Sequence, residues 1–448
     1  MQDISGRTDR ELGAVLCGTM EINERGHLQI GGCDTVDLAT QYGTPLFVYD
    51  EAFIREQIRA LHRTFRELGV NYEISYATKA FCTMAMCQLA HQEGLTLDVV
   101  SGGELYTALK AGVPAANIRF HGNNKTLAEL EFGVASNVGI FVVDNFVELA
   151  ALNDIGQRHG KTVQVLLRIA PGIEAHTHHY ISTGQQDSKF GFDLESGQAE
   201  RAMAAALDAE SVRCIGLHCH IGSQIFDPSG HVAAAELMCE LYAAGVRMGL
   251  PFSVLNLGGG FGIRYTQDDH PTPVADYLGA MVAAVRKEID RYGVGMPSIW
   301  IEPGRSIVGA AGTTLYTVGS QKVIPDVRNF LAVDGGMTDN PRLALYDAEY
   351  VAVMANKMAE RAEETWTIAG KCCESGDIVV RSAPLPEPQM GDILAVLATG
   401  AYNYSMVSHY NRIPHPAVVF VRDGKSRLVV ERETWEDVVR LDRPLEAE

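Results

Sequence analysis

YEISYATK (72–79), LTLDVVS (95–101), NIRFHG (117–122) and IFVVDN (140–145) are the four runs whose reading decides the fold. Each is short and β-rich, and each starts about one βα unit after the one before, with helix-forming sequence between. TVQVLLRIA (162–170), VRCIGLHCHIG (212–222), SVLNLGGG (253–260) and SIWIEPGR (298–305) carry the series to eight. The segments NFVELAALNDIGQRHG and TPVADYLGAMVAAVRKEIDRYG are long and amphipathic enough to be crossover helices, the second opening on a Thr-Pro start signal. Eight alternations predict an α/β architecture closed as a (β/α)8 barrel rather than an open sheet.

Outside that series the pattern changes. TTLYTVGSQKVI, RNFLAVDGGM, TWTIAGK, DILAVLATGAY and AVVFVRDGKSRLVVERE, all after residue 310, alternate strands with turns and predict an antiparallel β domain. HLQI and PLFVYD in the first 50 residues do not suit a barrel start. The expected organisation is a barrel over 51–310 inserted into a second, mostly antiparallel β domain built from 1–50 and 311–448. The connection 171–211 is longer than its neighbours and carries YISTGQQDSKFGF, read as an ordered loop over the barrel mouth or a surface excursion. The HTHH run at 176–179 lies on it, as solvated or substrate-facing histidines.

Composition excludes several partners. With 37 Lys+Arg against 56 Asp+Glu the formal charge is −19, which argues against nucleic acid, whose phosphates need clustered cations. The longest uncharged run, 393–411, contains Thr399, Asn403, Ser405, His409 and Asn411, too polar for a membrane span. MQDISGRTDRELG at the start has no apolar core of the secretory kind. Nine cysteines without small-domain spacing suit reduced thiols, so a cytoplasmic location is expected and the sequons at Asn124 and Asn403 are read as accidental.

A barrel gathers its functional groups at the C-terminal ends of its strands. Those ends offer Lys79, Asp98, His218, His220, Gly258 to Gly260, Glu302 and Arg305. A lysine there either reaches solvent or has a partner or a function. The triple glycine fails as a dinucleotide fingerprint, because Ile263 stands where the last glycine of GxGxxG would be, but suits a phosphate cradle. Ser223 could add a hydroxyl. His218 and His220 share a strand face and would also suit a metal pair, hence a metal-dependent barrel hydrolase as the rival chemistry. Strands three to five, ending in His121, Asn145 and Arg168, add a poor ligand set. Lysine, cradle, imidazole and carboxylate together describe a pyridoxal 5'-phosphate site, with Glu302 on the pyridine nitrogen favouring decarboxylation.

YATKAF around Lys79, HCHIGSQ (218–224), GGGFGI (258–263), EPGRSIV (302–308), CESGD (373–377) and GAYNYSM (400–406) resemble, in order, the barrel-type pyridoxal phosphate decarboxylases of alanine racemase-like fold. The branch acting on diaminopimelate is the nearest, and the likeness covers nearly the whole chain. It implies conversion of meso-2,6-diaminopimelate to L-lysine and carbon dioxide, the last step of lysine biosynthesis. It makes Lys79 the Schiff-base lysine, His220 the imidazole stacked on the ring and Glu302 the partner of the pyridine nitrogen. Ser223, Gly259, Gly260 and Tyr402 would hold the phosphate, with Arg305 beside them. Arg305, Arg342, Tyr346 and Tyr402 would face the substrate, with Glu374 taking its distal ammonium. Cys373 would donate the proton from the partner subunit of a homodimer with shared sites. Asp98 and Arg168 are each either a supporting group or a member of an ordinary strand-end ion pair, and in the doublet Cys372-Cys373 chemistry alone leaves the donor ambiguous. A relative using another diamino acid or a secondary metabolite, a regulatory protein without catalysis, and a racemase are the alternatives; Lys79 and Cys373 oppose the second and Glu302 the third.

Overall fold

The computed structural model describes residues 16–173 and 188–445. The loop segment 180–187 and the histidine run at 176–179 therefore lie outside the described residues. Eight parallel strands form a closed ring: Tyr72–Ala77 (β1), Thr96–Val99 (β2), Ile118–Phe120 (β3), Ile140–Val143 (β4), Val163–Ala170 (β5), Val212–Cys219 (β6), Val254–Asn256 (β7) and Ser298–Ile301 (β8). Each pairs with the next, and β8 closes on β1 through Ile299 opposite Tyr72. All eight lie inside the runs read from sequence.

The barrel interior is packed. Ile140, Val142, Leu166, Ile215, Val254 and Trp300, from five consecutive strands, form one buried cluster. Arg119 on β3 makes a bidentate pair with Glu73 on β1, both bonds 2.8 Å, and lies over the Trp300 ring. The paired fork satisfies a charge that would otherwise be costly inside a barrel. Short polar residues start the crossover helices: Ser101, Thr126 and Asn145 each accept a backbone N–H three residues on, capping Gly102–Lys110, Leu127–Ala135 and Phe146–His159. Each of these caps fixes where its helix starts after β2, β3 and β4.

The second unit is a mostly antiparallel sheet in the order Ile378–Leu385, Glu364–Ala369, Arg328–Val333, Gly312–Ile324, Leu46–Asp50, Ala417–Arg422, Lys425–Val430. Two of its pairings are parallel: Leu46–Asp50 with Ala417–Arg422, and Arg328–Val333 with Glu364–Ala369. Leu46–Asp50 thus sits in the middle of a sheet otherwise made by the C-terminal half. The strand Ile378–Leu385 was not legible in sequence, since Pro384 removes a ladder donor; it stands at the sheet edge, where that loss is tolerated.

By contacts, one compact unit comprises Gln57–Ile263 and Pro271–Ser306, and the other the described residues up to Glu56, Arg264–His270 and those from Ile307 on. Arg264–His270, expected within the barrel, group with the β unit because Tyr265 packs against its core. Among the described residues no helix is long and apolar enough to cross a membrane.

Candidate active site

The barrel unit brings Lys79, Asp98, Arg168, His218, His220, Ser223, Gly259, Gly260, Glu302 and Arg305 to the C-terminal ends of its strands. Lys79 follows β1 in the single turn Thr78–Ala80 and is exposed. The turn is held by Thr78 Oγ1, which donates to the Asp98 carbonyl on β2 at 2.8 Å. The solvent-reaching alternative therefore describes its exposure, while its neighbours set its chemistry.

Glu302, just past β8, is the most heavily supported group. Asn256 Nδ2 donates to its Oε1 at 2.6 Å, His218 Nε2 lies 3.0 Å from its Oε2, and His121 Nε2 is 3.1 Å from Oε1. Burial alone would raise this carboxyl's pKa, but His121 and His218 hold it well below the usual carboxylate range. It is a fixed anion. Burial in turn lowers His218 to about 4, against the pull of Glu302. His220 is held well below its ordinary value by burial, Lys79 and Arg168, so its ring is neutral near pH 7. Its Nδ1 accepts from Gly259 N at 3.2 Å.

The rival pairing of His218 with His220 does not form a ligand set. Among the described residues, ligand atoms converge instead at His121, His218 and Glu302, around the carboxylate described above, and at His409, His415 and Glu433 in the β unit. Arg168 is buried 3.7 Å from Asp144 and lies over the Phe190 ring, an ion pair at the ends of β4 and β5. Asp98 lies 3.7 Å from His121.

Gly259 and Gly260 are required by close approach. A Cβ on Gly259 would lie 2.0 Å from the Glu302 carbonyl oxygen, and Gly260 has φ +100° with a virtual Cβ 2.5 Å from Gly222 O. Nearby, Arg305 Nη2 donates to Ser223 Oγ at 3.0 Å. A guanidinium, a hydroxyl and bare glycine amides form an anion-binding donor set. With a fixed carboxylate and a neutral imidazole, these residues fit pyridoxal 5'-phosphate: anion donors for its phosphate, an anion for its ring nitrogen and an amine to hold it.

The β unit carries the remaining candidates. Arg342 is buried, not solvated, with Nη1 donating to Tyr265 Oη at 2.9 Å and Tyr350 Oη at 3.1 Å. Its guanidinium lies over the rings of Tyr265 and Tyr402. Tyr402, at φ +62°, and Tyr346 are half-buried. Cys373 and Glu374 are exposed, while Cys372 is buried. Asp377 anchors their loop by accepting from Met337 N at 2.6 Å and Cys372 N at 2.7 Å. Asn411 Oδ1 accepts from Cys373 N at 2.7 Å.

Sequence reasoning missed Asn256, Tyr265, Tyr350 and Asn411, and gave His121 no role. For Asn256 a signal existed, a polar residue closing an apolar strand just before the glycines. For Tyr265 and Asn411 none did, because each acts on a residue distant in the chain, and Tyr350 meets Arg342 across an irregular turn that no periodicity marks.

A closed barrel with a lysine after β1, a buried carboxylate after β8 and a glycine cradle after β7 defines a barrel-type pyridoxal-dependent decarboxylase. The pyridoxal binding domain of the pyridoxal-dependent decarboxylases matches residues 52–309. The diaminopimelate decarboxylase of Bacillus subtilis (strain 168) is 56% identical over 430 residues, covering 96% of this chain and 98% of the relative. That of Bacillus methanolicus is 58% identical over 417 residues, covering 93% and 96%. The crystal structure of the diaminopimelate decarboxylase from M. jannaschii in complex with L-lysine superposes with a TM-score of 0.89 at 36% identity, covering 95% and 98%. The chain belongs to the pyridoxal-dependent decarboxylases, and within them to the diaminopimelate decarboxylase family.

Proposed function

We propose how the residues above divide the work of decarboxylating meso-2,6-diaminopimelate to L-lysine and carbon dioxide, the activity of this family. Pyridoxal 5'-phosphate, when bound, supplies an electron sink for the pair left at the substrate's α-carbon. Lys79 would hold it through Nζ and would release it to the substrate's amine. Glu302 carries this reading: an anion fixed by Asn256, His218 and His121 would keep the ring nitrogen protonated and so stabilise the electron pair left when carbon dioxide departs. His220, neutral, can lie against the ring without repelling its charge. Ser223, Gly259, Gly260 and Tyr402 bind the phosphate, with Arg305 beside them.

Arg342 and Tyr346, with Arg305 and Tyr402, clamp the distal carboxylate, and Glu374 accepts the distal ammonium; an acid and a guanidinium together distinguish diaminopimelate from lysine or ornithine. Cys373 then delivers a proton to the α-carbon. We assign that thiol to the partner subunit of a homodimer, with an amino acid as the small-molecule substrate. Nine free thiols suit a reducing cytoplasm as the place of work.

Incubating the purified protein and cofactor with meso-diaminopimelate should release carbon dioxide and lysine in equal amounts. Borohydride reduction should fix the cofactor on Lys79, and Lys79→Ala should lose both the adduct and nearly all turnover. Recovery of the reduced cofactor on another lysine overturns the assignment.

A further inference from the structure

Behind the glycine loop, inside the barrel unit, lies a buried pair that the site above does not use. His231, in the helix Ser229–Met248, and Tyr277, in the helix Val274–Tyr292, are almost fully buried. His231 Nε2 lies 2.8 Å from the Gly259 carbonyl oxygen, and its Nδ1 is 2.7 Å from Tyr277 Oη. The carbonyl can only accept, so Nε2 carries the proton; Nδ1 then accepts from the tyrosine hydroxyl. The hydroxyl thereby fixes the tautomer. The ring also stacks on Phe261, centroids 5.6 Å apart. Burial holds His231 near pKa 4, so it works as a neutral donor.

The consequence follows from peptide geometry. In a planar trans peptide the C=O and the following N–H point in opposite directions. A Gly259 carbonyl drawn toward His231 therefore turns the Gly260 N–H the other way. The rest of the loop is equally committed: Gly258 O accepts from Glu302 N at 2.8 Å, Gly259 N donates to His220, and Gly260 O accepts from Ile225 N at 2.9 Å. Among the described residues, the amides of Gly260 and Phe261 take no hydrogen bond. They are the donors left for an anion.

We infer that His231 and Tyr277 are positioning residues that aim the Gly260 amide, and so set the enzyme's affinity for the phosphate of its cofactor. The inference rests on the glycine loop being the phosphate cradle. It concerns the phosphate alone, since His231 and Tyr277 bond to the Gly259 carbonyl and to each other, and to neither Lys79 nor the Glu302 carboxylate.

The test titrates the full-length protein, freed of cofactor, with pyridoxal 5'-phosphate and separately with pyridoxal, which lacks the phosphate. Wild type should prefer the phosphorylated form. His231→Phe keeps the stacked ring but loses both bonds, and should cut that preference about tenfold with pyridoxal binding unchanged. His231→Gln, whose amide can donate to the same carbonyl, should restore much of it. Tyr277→Phe frees the tautomer and should reduce the preference in the same sense; if His231→Phe does not fold, this variant decides. A wild-type preference retained in Tyr277→Phe and His231→Phe overturns the brace and leaves the cradle standing. Equal affinity of the wild type for the two ligands overturns the cradle, and the brace with it.

Discussion

Glu302 and Arg342 show how single residues acquire chemistry from their neighbours. Glu302 is ionised because two imidazoles and a carboxamide offset the cost of its burial. Arg342 is buried against tyrosine hydroxyls, with no carboxylate among the partners described for it, which leaves its charge available to an anionic substrate group. Arg342→Ala should therefore lower kcat/KM for diaminopimelate by about 100-fold, the loss of a charge-assisted bond of roughly 2–3 kcal/mol, with cofactor binding unchanged. Unchanged kcat/KM would place it outside the site. The cysteine doublet separates by environment. Burial, with Asp377, pushes Cys372 up to about 11, whereas Cys373 is exposed. Turnover measured for each alanine variant should collapse for Cys373→Ala and persist for Cys372→Ala.

At the scale of elements, the loop 370–377 is held by one carboxylate. Asp377 accepts from Met337 N and Cys372 N, and Gly336 and Gly370 pack so closely on it that added Cβ atoms would fall 2.5 and 2.2 Å from its oxygens. The final residue of the CESGD motif is thus a structural anchor for the two residues that open it. Asp377→Ala leaves two backbone donors without their acceptor and should cost about 2–4 kcal/mol of stability. Thermal melting should register that loss, and kcat should fall with it because Cys373 and Glu374 lose their support. A variant that melts normally and turns over normally would refute the anchor.

For the whole molecule, the proposed exchange of Cys373 between subunits predicts complementation. Lys79→Ala and Cys373→Ala homodimers should each be nearly inactive, and subunit exchange should restore roughly a quarter of wild-type activity, since half the dimers are mixed and each has one intact site of two. No recovery after verified exchange would put both residues' work in one chain. A second global property is acid sensitivity. His218 and His231, both lowered to about 4 by burial, bind protons only when the chain unfolds between about pH 6.5 and 4, so stability falls as pH falls there, by up to about 1.4 kcal/mol per pH unit for each. Asp339, raised to about 7 by burial, has the opposite sign and loses stability as pH rises from about 4 to 7. Denaturation midpoints at pH 7 and 5 should differ less in His231→Phe than in wild type; an equal difference would refute the assignment.

The barrel was legible in the sequence because its strands are buried on both faces and read as eight apolar runs at a regular spacing, a local signal that survives without coordinates. Lys79, His220, the glycines and Glu302 were legible for the same reason, since each closes such a run. The β domain was legible in class but not in pairing. That Leu46–Asp50 lies parallel to Ala417–Arg422 in mid-sheet depends on contacts between chain ends, which no periodicity records. The supports of the site belong to the same category. His121, Asn256 and His231 are ordinary residues by spacing, and only closure of the barrel brings two of them to Glu302 and the third to Gly259. Residue type sets what a group can donate or accept, whereas its ionisation and aim depend on burial and partners, which tertiary packing alone supplies.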